Sequence, residues 1–143
     1  MKNLTIIGLT PFEKPDLNLM PKLHQAGAFP VLSLGHDLAS AQEALNQLDQ
    51  TALFNYGIYF PNDKLLSLQI PEKVNIIILP FGTCAPTAEH LSIVYQVNSL
   101  EEALLAKKLN AKGIIIKGNE AGGLVGYEST FILFQRIIQE IQS

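Results

Sequence analysis

The chain has 143 residues, 48% of them hydrophobic and 16% charged, which suits one substantial core and is too short for two ordinary domains. Its formal net charge of -3, with no run of lysine or arginine, argues against nucleic acid or an anionic membrane as a partner. The single cysteine, Cys84, and an amino-terminal apolar run too short for a signal peptide or a membrane span predict a cytoplasmic protein.

Six short runs rich in β-branched and aromatic residues recur along the chain and predict six strands. Their near-continuous hydrophobicity, without clean alternation, is typical of parallel strands covered on both faces. The runs are LTIIGL from Leu4, FPVLSL from Phe29, ALFNYGIYF from Ala52, VNIIIL from Val74, SIVYQV from Ser92 and GIIIK from Gly113.

Helix signals lie between these strands. Asp16 and Asp37 are the predicted N-caps of the first two helices, and Gly27 is the predicted stop of the first. Ser99 and Glu102 form a predicted capping box at the start of the third. The second helix has a predicted apolar stripe of Leu38, Ala41, Leu45 and Leu48.

The last helix is predicted to begin near Ser129. Its predicted buried face consists of Phe131, Phe134, Ile137, Ile138 and Ile141. The segment NDKLLSL is long enough for a short helix, and GTCAPTAEH has little room for one. The order is therefore a βα unit repeated six times, with some connections cut short.

Two architectures accept that order. An open, doubly wound parallel sheet of five or six strands suits this length. A (β/α)8 barrel needs eight units and about 250 residues, so six units would leave it unclosed. Length alone favours the open sheet.

Two motifs point to the barrel instead. Ser99, Glu101, Glu102 and Ala103 open one helix, and the segment GNEAGGLVG, from Gly118 to Gly126, follows the last predicted strand. Together they resemble the nitronate monooxygenase (2-nitropropane dioxygenase) family and the related flavin-dependent enoyl-acyl carrier protein reductases. The opening TPFEKPD and the ending KGNEAGGLVGYESTF are similar, more narrowly, to the nitronate-monooxygenase-like domain of multidomain polyketide and polyunsaturated fatty acid synthases.

The resemblance implies an incomplete TIM-type barrel of about six βα units, with residues 1–143 as one partial domain at the amino-terminal side of a longer polypeptide. The alternative is an independent small protein. Family members continue into a seventh and an eighth unit, which supply most of the site for the flavin phosphate. The resemblance therefore also implies FMN as the family cofactor, and a chain that neither holds FMN nor catalyses a reaction alone.

The residues that the resemblance places at the flavin are Gly118, Glu120, Gly122 and Gly123. Glycines in such a loop let backbone amides approach a flat ring or an anion. The alternative is a tight strand-to-helix turn, in which Glu120 bonds the amides of the turn itself.

No catalytic residue is assigned. The family's histidine corresponds to Leu124, which cannot transfer a proton, and no other residue replaces it. A second family position, usually asparagine, is Tyr59, and Asn55 lies on the wrong side of that motif.

The remaining candidates carry weaker signals. His24 and His36 are interpreted as surface or cap residues, and Cys84 with His90 has no third group to orient the imidazole. Lys117 ends the sixth strand, either toward the cofactor face or in solvent. The sequence has no metal-ligand cluster and no phosphate-loop motif.

Two functions remain open: a flavin-barrel oxidoreductase segment of a polyketide or fatty acid synthase, and a noncatalytic scaffold or docking module that keeps the fold. The expected partner is the remainder of the synthase. Because an unclosed barrel leaves two apolar sheet edges, a homodimer is also expected, unless the last helix covers the gap with its Phe131 and Phe134 face.

Overall fold

The computed structural model describes residues 5–61, 63–86, 89–122 and 125–141. The strands are β1 (Ile7–Leu9), β2 (Phe29–Ser33), β3 (Tyr56–Tyr59), β4 (Val74–Pro80), β5 (Ser92–Val97) and β6 (Gly113–Ile116). The helices are α1 (Leu19–Gln25), α2 (Leu38–Thr51), α3 (Leu100–Lys108) and α4 (Thr130–Ile141), with a short 3-10 helix at Asp63–Ser67. No helix in these ranges is long and apolar enough to cross a membrane.

The six strands form one parallel sheet in the order in which they occur in the sequence. The sheet curls into a half-barrel, which confirms the incomplete TIM-type barrel predicted from the resemblance. All six predicted strands are present, although β3 begins at Tyr56, four residues after the apolar run begins. Leu4, where the first run begins, lies outside the described residues.

Two apolar layers lie on opposite faces of this sheet. The larger layer packs all four helices against one face, through residues such as Met20, Leu45 and Leu133. The smaller one lies on the inner, concave face around Val31, Tyr59 and Ile78. Because side chains alternate along a strand, neighbouring residues of one strand enter different layers. Helices on one face only exclude the doubly wound alternative.

Two of the three N-cap residues predicted from the sequence are the N-caps in the structure. The Asp37 carboxylate accepts from Ser40 N at 2.8 Å, and Ser99 Oγ accepts from Glu102 N at 3.1 Å. The prediction for Asp16 was wrong, because the N-cap residue of α1 is Asn18. Asp16 Oδ1 instead accepts from the amides of Asn18 and Leu19 in the turn that precedes the helix.

The predicted buried face of α4 was partly wrong. Leu133 and Ile137 are buried, whereas Phe131, Phe134 and Ile138 are 66%, 47% and 37% exposed. The helix packs on α3 and β6, and apolar residues occupy several of its faces, so periodicity alone could not select the inward one. The Phe131 and Phe134 side chains therefore do not cover the gap in the barrel.

The predicted stripe of α2 needs a smaller correction of the same kind. Ala41, Leu45 and Leu48 are buried as predicted, but Leu38 is exposed. Leu38 directly follows the N-cap Asp37, and at this first helical position its side chain lies outside the packed layer.

A pair of substitutions in α4 tests which face is inward. We expect Leu133→Ala to lower the free energy of unfolding by about 2–5 kcal/mol, because it leaves a cavity in a fully buried site. Phe131→Ala, two residues earlier, is expected to change it by less than about 1 kcal/mol, because that side chain is 66% exposed. Chemical denaturation of both variants measures this, and equal or reversed losses would contradict the described packing.

Candidate functional site

A cavity of about 650 Å³ lies where the strands end. Because all six strands are parallel, every loop that leaves a carboxyl end emerges at the same edge of the sheet. Each of these loops or strand ends contributes to the lining. The residues are Pro11, Phe12, Glu13, His36, Tyr59, Pro61, Pro80, Phe81, Gln96, Val97, Asn98, Glu102, Lys117 and Gly122.

Aromatic rings form much of the wall. Phe12 meets Tyr59 edge to face with ring centroids 5.3 Å apart, and Phe81 meets Tyr95 in the same way at 5.7 Å. Burial raises the pKa of the Tyr59 hydroxyl, so this group is neutral and able to donate a hydrogen bond at ordinary pH. The wall therefore suits a flat or apolar ligand more than a strongly hydrated one.

The loop that carries Phe12 is held in place by backbone contacts to β2. Ser33 N donates to Thr10 Oγ1 at 2.8 Å, and Thr10 N donates to Val31 O at 3.0 Å. Gly35 has a φ of 66°, and a Cβ there would lie 2.8 Å from Glu13 O. The close approach of the two loops thus requires glycine at position 35.

The glycines in the loop after β6 differ in how much space surrounds them. A Cβ on Gly118 would lie 2.0 Å from Thr130 N, and one on Gly126 would lie 2.2 Å from Asn98 O. These two glycines admit the protein's own backbone. Gly122, by contrast, lines the cavity and has no described atom within 4 Å of the Cβ position. Gly123 and Leu124, the other predicted positions of this loop, lie outside the described residues.

Glu120 contacts the start of α4. Its two carboxylate oxygens accept from Thr130 N at 2.8 and 3.0 Å, and Thr130 Oγ1 accepts from Gly118 N at 2.9 Å. Hydrogen bonds from its own amide and from that of Thr130 lower the pKa of the Glu120 carboxyl. These contacts are those of the turn, which was the alternative to a flavin contact.

Among the described residues that line the cavity, Lys117 is the lysine. Its Nζ donates to Gly122 O at 2.7 Å, and its backbone amide donates to Val97 O, which extends the pairing of β5 and β6. Burial lowers the pKa of the Lys117 amine. Glu102, also in the lining, accepts from Asn98 N at 2.8 Å and so holds the start of α3 against the end of β5.

The other candidates lie apart from this arrangement. His24 is exposed and stacks on Phe54 with centroids 4.3 Å apart, near Asn55, at the amino edge of the sheet. His36 is exposed at the rim of the cavity. Cys84 and His90 are both exposed. Among the residues that the structure describes, no three His, Cys, Asp or Glu side chains are grouped to hold a metal ion.

Several residues that form the site were not predicted from the sequence. The main ones are Phe12, Phe81, Thr10 and Ser33. Each lies at or just after the carboxyl end of a predicted strand, and this position was the available signal. Tyr59 carries a signal of another kind, because it stands where the resembling family usually has asparagine.

Three alanine substitutions separate the two kinds of glycine. Gly118→Ala and Gly126→Ala are expected to destabilise the fold by roughly 1–3 kcal/mol or more, because their Cβ atoms meet backbone that cannot move away freely. Gly122→Ala is expected to change stability by less than about 0.5 kcal/mol, since its Cβ would enter open space. Thermal unfolding compares them, and a Gly122 variant as unstable as the others would refute the assignment.

The comparisons with known proteins bear on the fold. No protein-family model matches the sequence, and no curated protein matches it. Among solved structures, FabK from Thermotoga maritima superposes with a TM-score of 0.74 at 19% sequence identity. The match covers 94% of this chain and 47% of FabK, so the chain spans less than half of that structure's length. The half-barrel of this chain is thus similar to part of the FabK fold.

Proposed function

We propose that the chain is a flavin-barrel segment, of the nitronate monooxygenase or enoyl reductase type, from a polyketide or fatty acid synthase. The likeness to FabK, a flavin-dependent enoyl reductase with a TIM-barrel fold, supports a reductase-like barrel. The observation that carries the proposal is Gly122, which leaves open space at the mouth of the cavity while the neighbouring Gly118 and Gly126 are closely packed.

The described lining fits the flavin ring. The ring is flat, with an apolar dimethylbenzene end and a polar pyrimidine end, and the cavity offers it Phe12, Phe81 and the open backbone at Gly122. When bound, a flavin supplies hydride transfer. In this proposal the aromatic side chains hold the ring, and Gly122 admits it without interference from a Cβ.

The described lining fits the flavin phosphate poorly. A phosphate is held by several backbone amides, a helix N-terminus or clustered cations. The described lining contributes one such cation, Lys117. The chain is therefore proposed to contribute part of a flavin site, with the phosphate contacts supplied from elsewhere, and to be catalytically impaired as it stands.

The second candidate function is a noncatalytic scaffold or docking module that retains the fold. Leu124 favours it, because this residue stands where the resembling family has histidine. The exposed apolar side chains of α4 and of β1 also favour it, since they offer surface to a partner. The proposed partners are the remainder of a cytoplasmic synthase or a second copy of this chain.

Flavin binding discriminates between the two functions. We expect the protein to be colourless after purification and dialysis, yet to quench FMN fluorescence saturably when FMN is added in excess. Gly122→Leu is expected to abolish the quenching by filling the mouth, while Leu53→Ala, at a fully exposed site away from the cavity, leaves it unchanged.

Two results would overturn parts of this proposal. FMN that remains bound in stoichiometric amount after dialysis would contradict the incomplete phosphate site. Absence of saturable quenching by the unmodified chain, shown folded by circular dichroism, would contradict the flavin segment and favour the scaffold.

A further inference from the structure

A lysine stands at each end of β6. Lys112 precedes the strand at the amino edge of the sheet and is exposed. Lys117 follows the strand at the carboxyl edge and lines the cavity. Because side chains alternate, Lys117 shares the concave face with Ile115, which packs in the inner apolar layer. The two side chains are therefore chemically identical, but Lys112 is exposed and Lys117 is half-buried in the cavity lining.

The surroundings of Lys117 are partly apolar. Phenylalanine, tyrosine and proline side chains share the cavity lining with polar side chains that include the carboxylates of Glu13 and Glu102. Within the described part of the chain, no carboxylate forms an ion pair with Lys117, and its Nζ donates to one neutral group, Gly122 O. Burial lowers the pKa of this amine, which raises the fraction that carries a free lone pair. Lys117 is half-buried, and partial desolvation of a lysine is one of the ways in which proteins activate an amine nucleophile.

We propose that Lys117 forms a reversible imine with a small apolar aldehyde or ketone that enters the cavity. The Nζ lone pair attacks the carbonyl carbon, and proton transfer from nitrogen to oxygen gives a carbinolamine. This loses its hydroxyl group and a proton as one water molecule when the C=N bond forms. No electrons are gained or lost, so the step needs no oxidant or reductant.

The proton transfers have candidate partners in the same cavity. Glu13, His36, Tyr59 and Glu102 are the titratable side chains that line it together with Lys117. Carbinolamine dehydration needs a proton delivered to the departing hydroxyl, and the neutral Tyr59 hydroxyl is a hydrogen-bond donor in this cavity. The cavity thus contains both the nucleophile and a proton donor.

The proposal is independent of the proposed flavin function. It uses the amine, the wall and the volume of the cavity, and none of these requires a cofactor. If the protein does not quench FMN fluorescence, imine formation by Lys117 is still expected. If Lys117 forms no imine, the proposed flavin site is unaffected.

Reductive trapping tests the proposal on the unmodified protein. The chain is incubated with hexanal and sodium cyanoborohydride, which reduces an imine to a stable secondary amine, and the modified lysines are located by peptide mass spectrometry. We expect Lys117 to be labelled several-fold faster than Lys112 near neutral pH. The Lys117 rate should saturate as hexanal is raised, because the aldehyde first occupies the cavity. The pH dependence of Lys117 labelling should also lie below the range usual for a lysine amine, because burial lowers its pKa.

Matched variants complete the test. Lys117→Arg keeps the cation and the donor to Gly122 O but cannot form an imine, so it should lose the fast, saturable phase. Lys112→Arg should retain that phase. Labelling of Lys117 that is no faster than that of Lys112, or that rises linearly without saturation, would overturn the proposal. So would a saturable phase that survives in Lys117→Arg.

Discussion

Parallel pairing of each strand with its neighbour in the sequence is the constraint on which the rest of this structure depends. It brings six carboxyl ends to one edge, and so it gathers side chains from loops that are far apart in the sequence. Phe12 and Lys117 line the same cavity for this reason. The same pairing keeps the helices on the convex face and leaves the concave face to a smaller apolar layer around Val31 and Ile78.

The strands could be predicted from the sequence because β-branched runs such as that of β4 have no competing pattern. The choice of a barrel could not be derived in this way, because apolar strands look alike in an open sheet and in a barrel. It came from the resemblance of the GNEAGG loop. The inward face of α4 also escaped prediction, since Phe131, Leu133 and Phe134 are equally apolar and only packing on α3 and β6 separates them.

The sequence predicted where the site lies in the fold, but not which residues contact one another there. A glycine's role depends on what lies opposite it, and the neighbours of Gly118 and Gly126 come from α4 and from the end of β5. No local pattern reveals such neighbours. The glycines of this loop look like one sequence motif, but they have different surroundings in the structure. Gly118 and Gly126 are closely packed, and Gly122 is open to the cavity. Glu120 likewise reads as a cofactor contact, and its described hydrogen bonds hold the first turn of α4.

We propose that this protein binds its ligand in the carboxyl-edge cavity. Amide proton–nitrogen correlation spectra recorded during a titration with riboflavin test it most directly, because riboflavin has the ring and lacks the phosphate. We predict saturable shifts at Phe12, Tyr59 and Gly122, and none at Phe54 or Lys73 on the amino edge. Shifts confined to the amino edge, or no shifts at all, would contradict it.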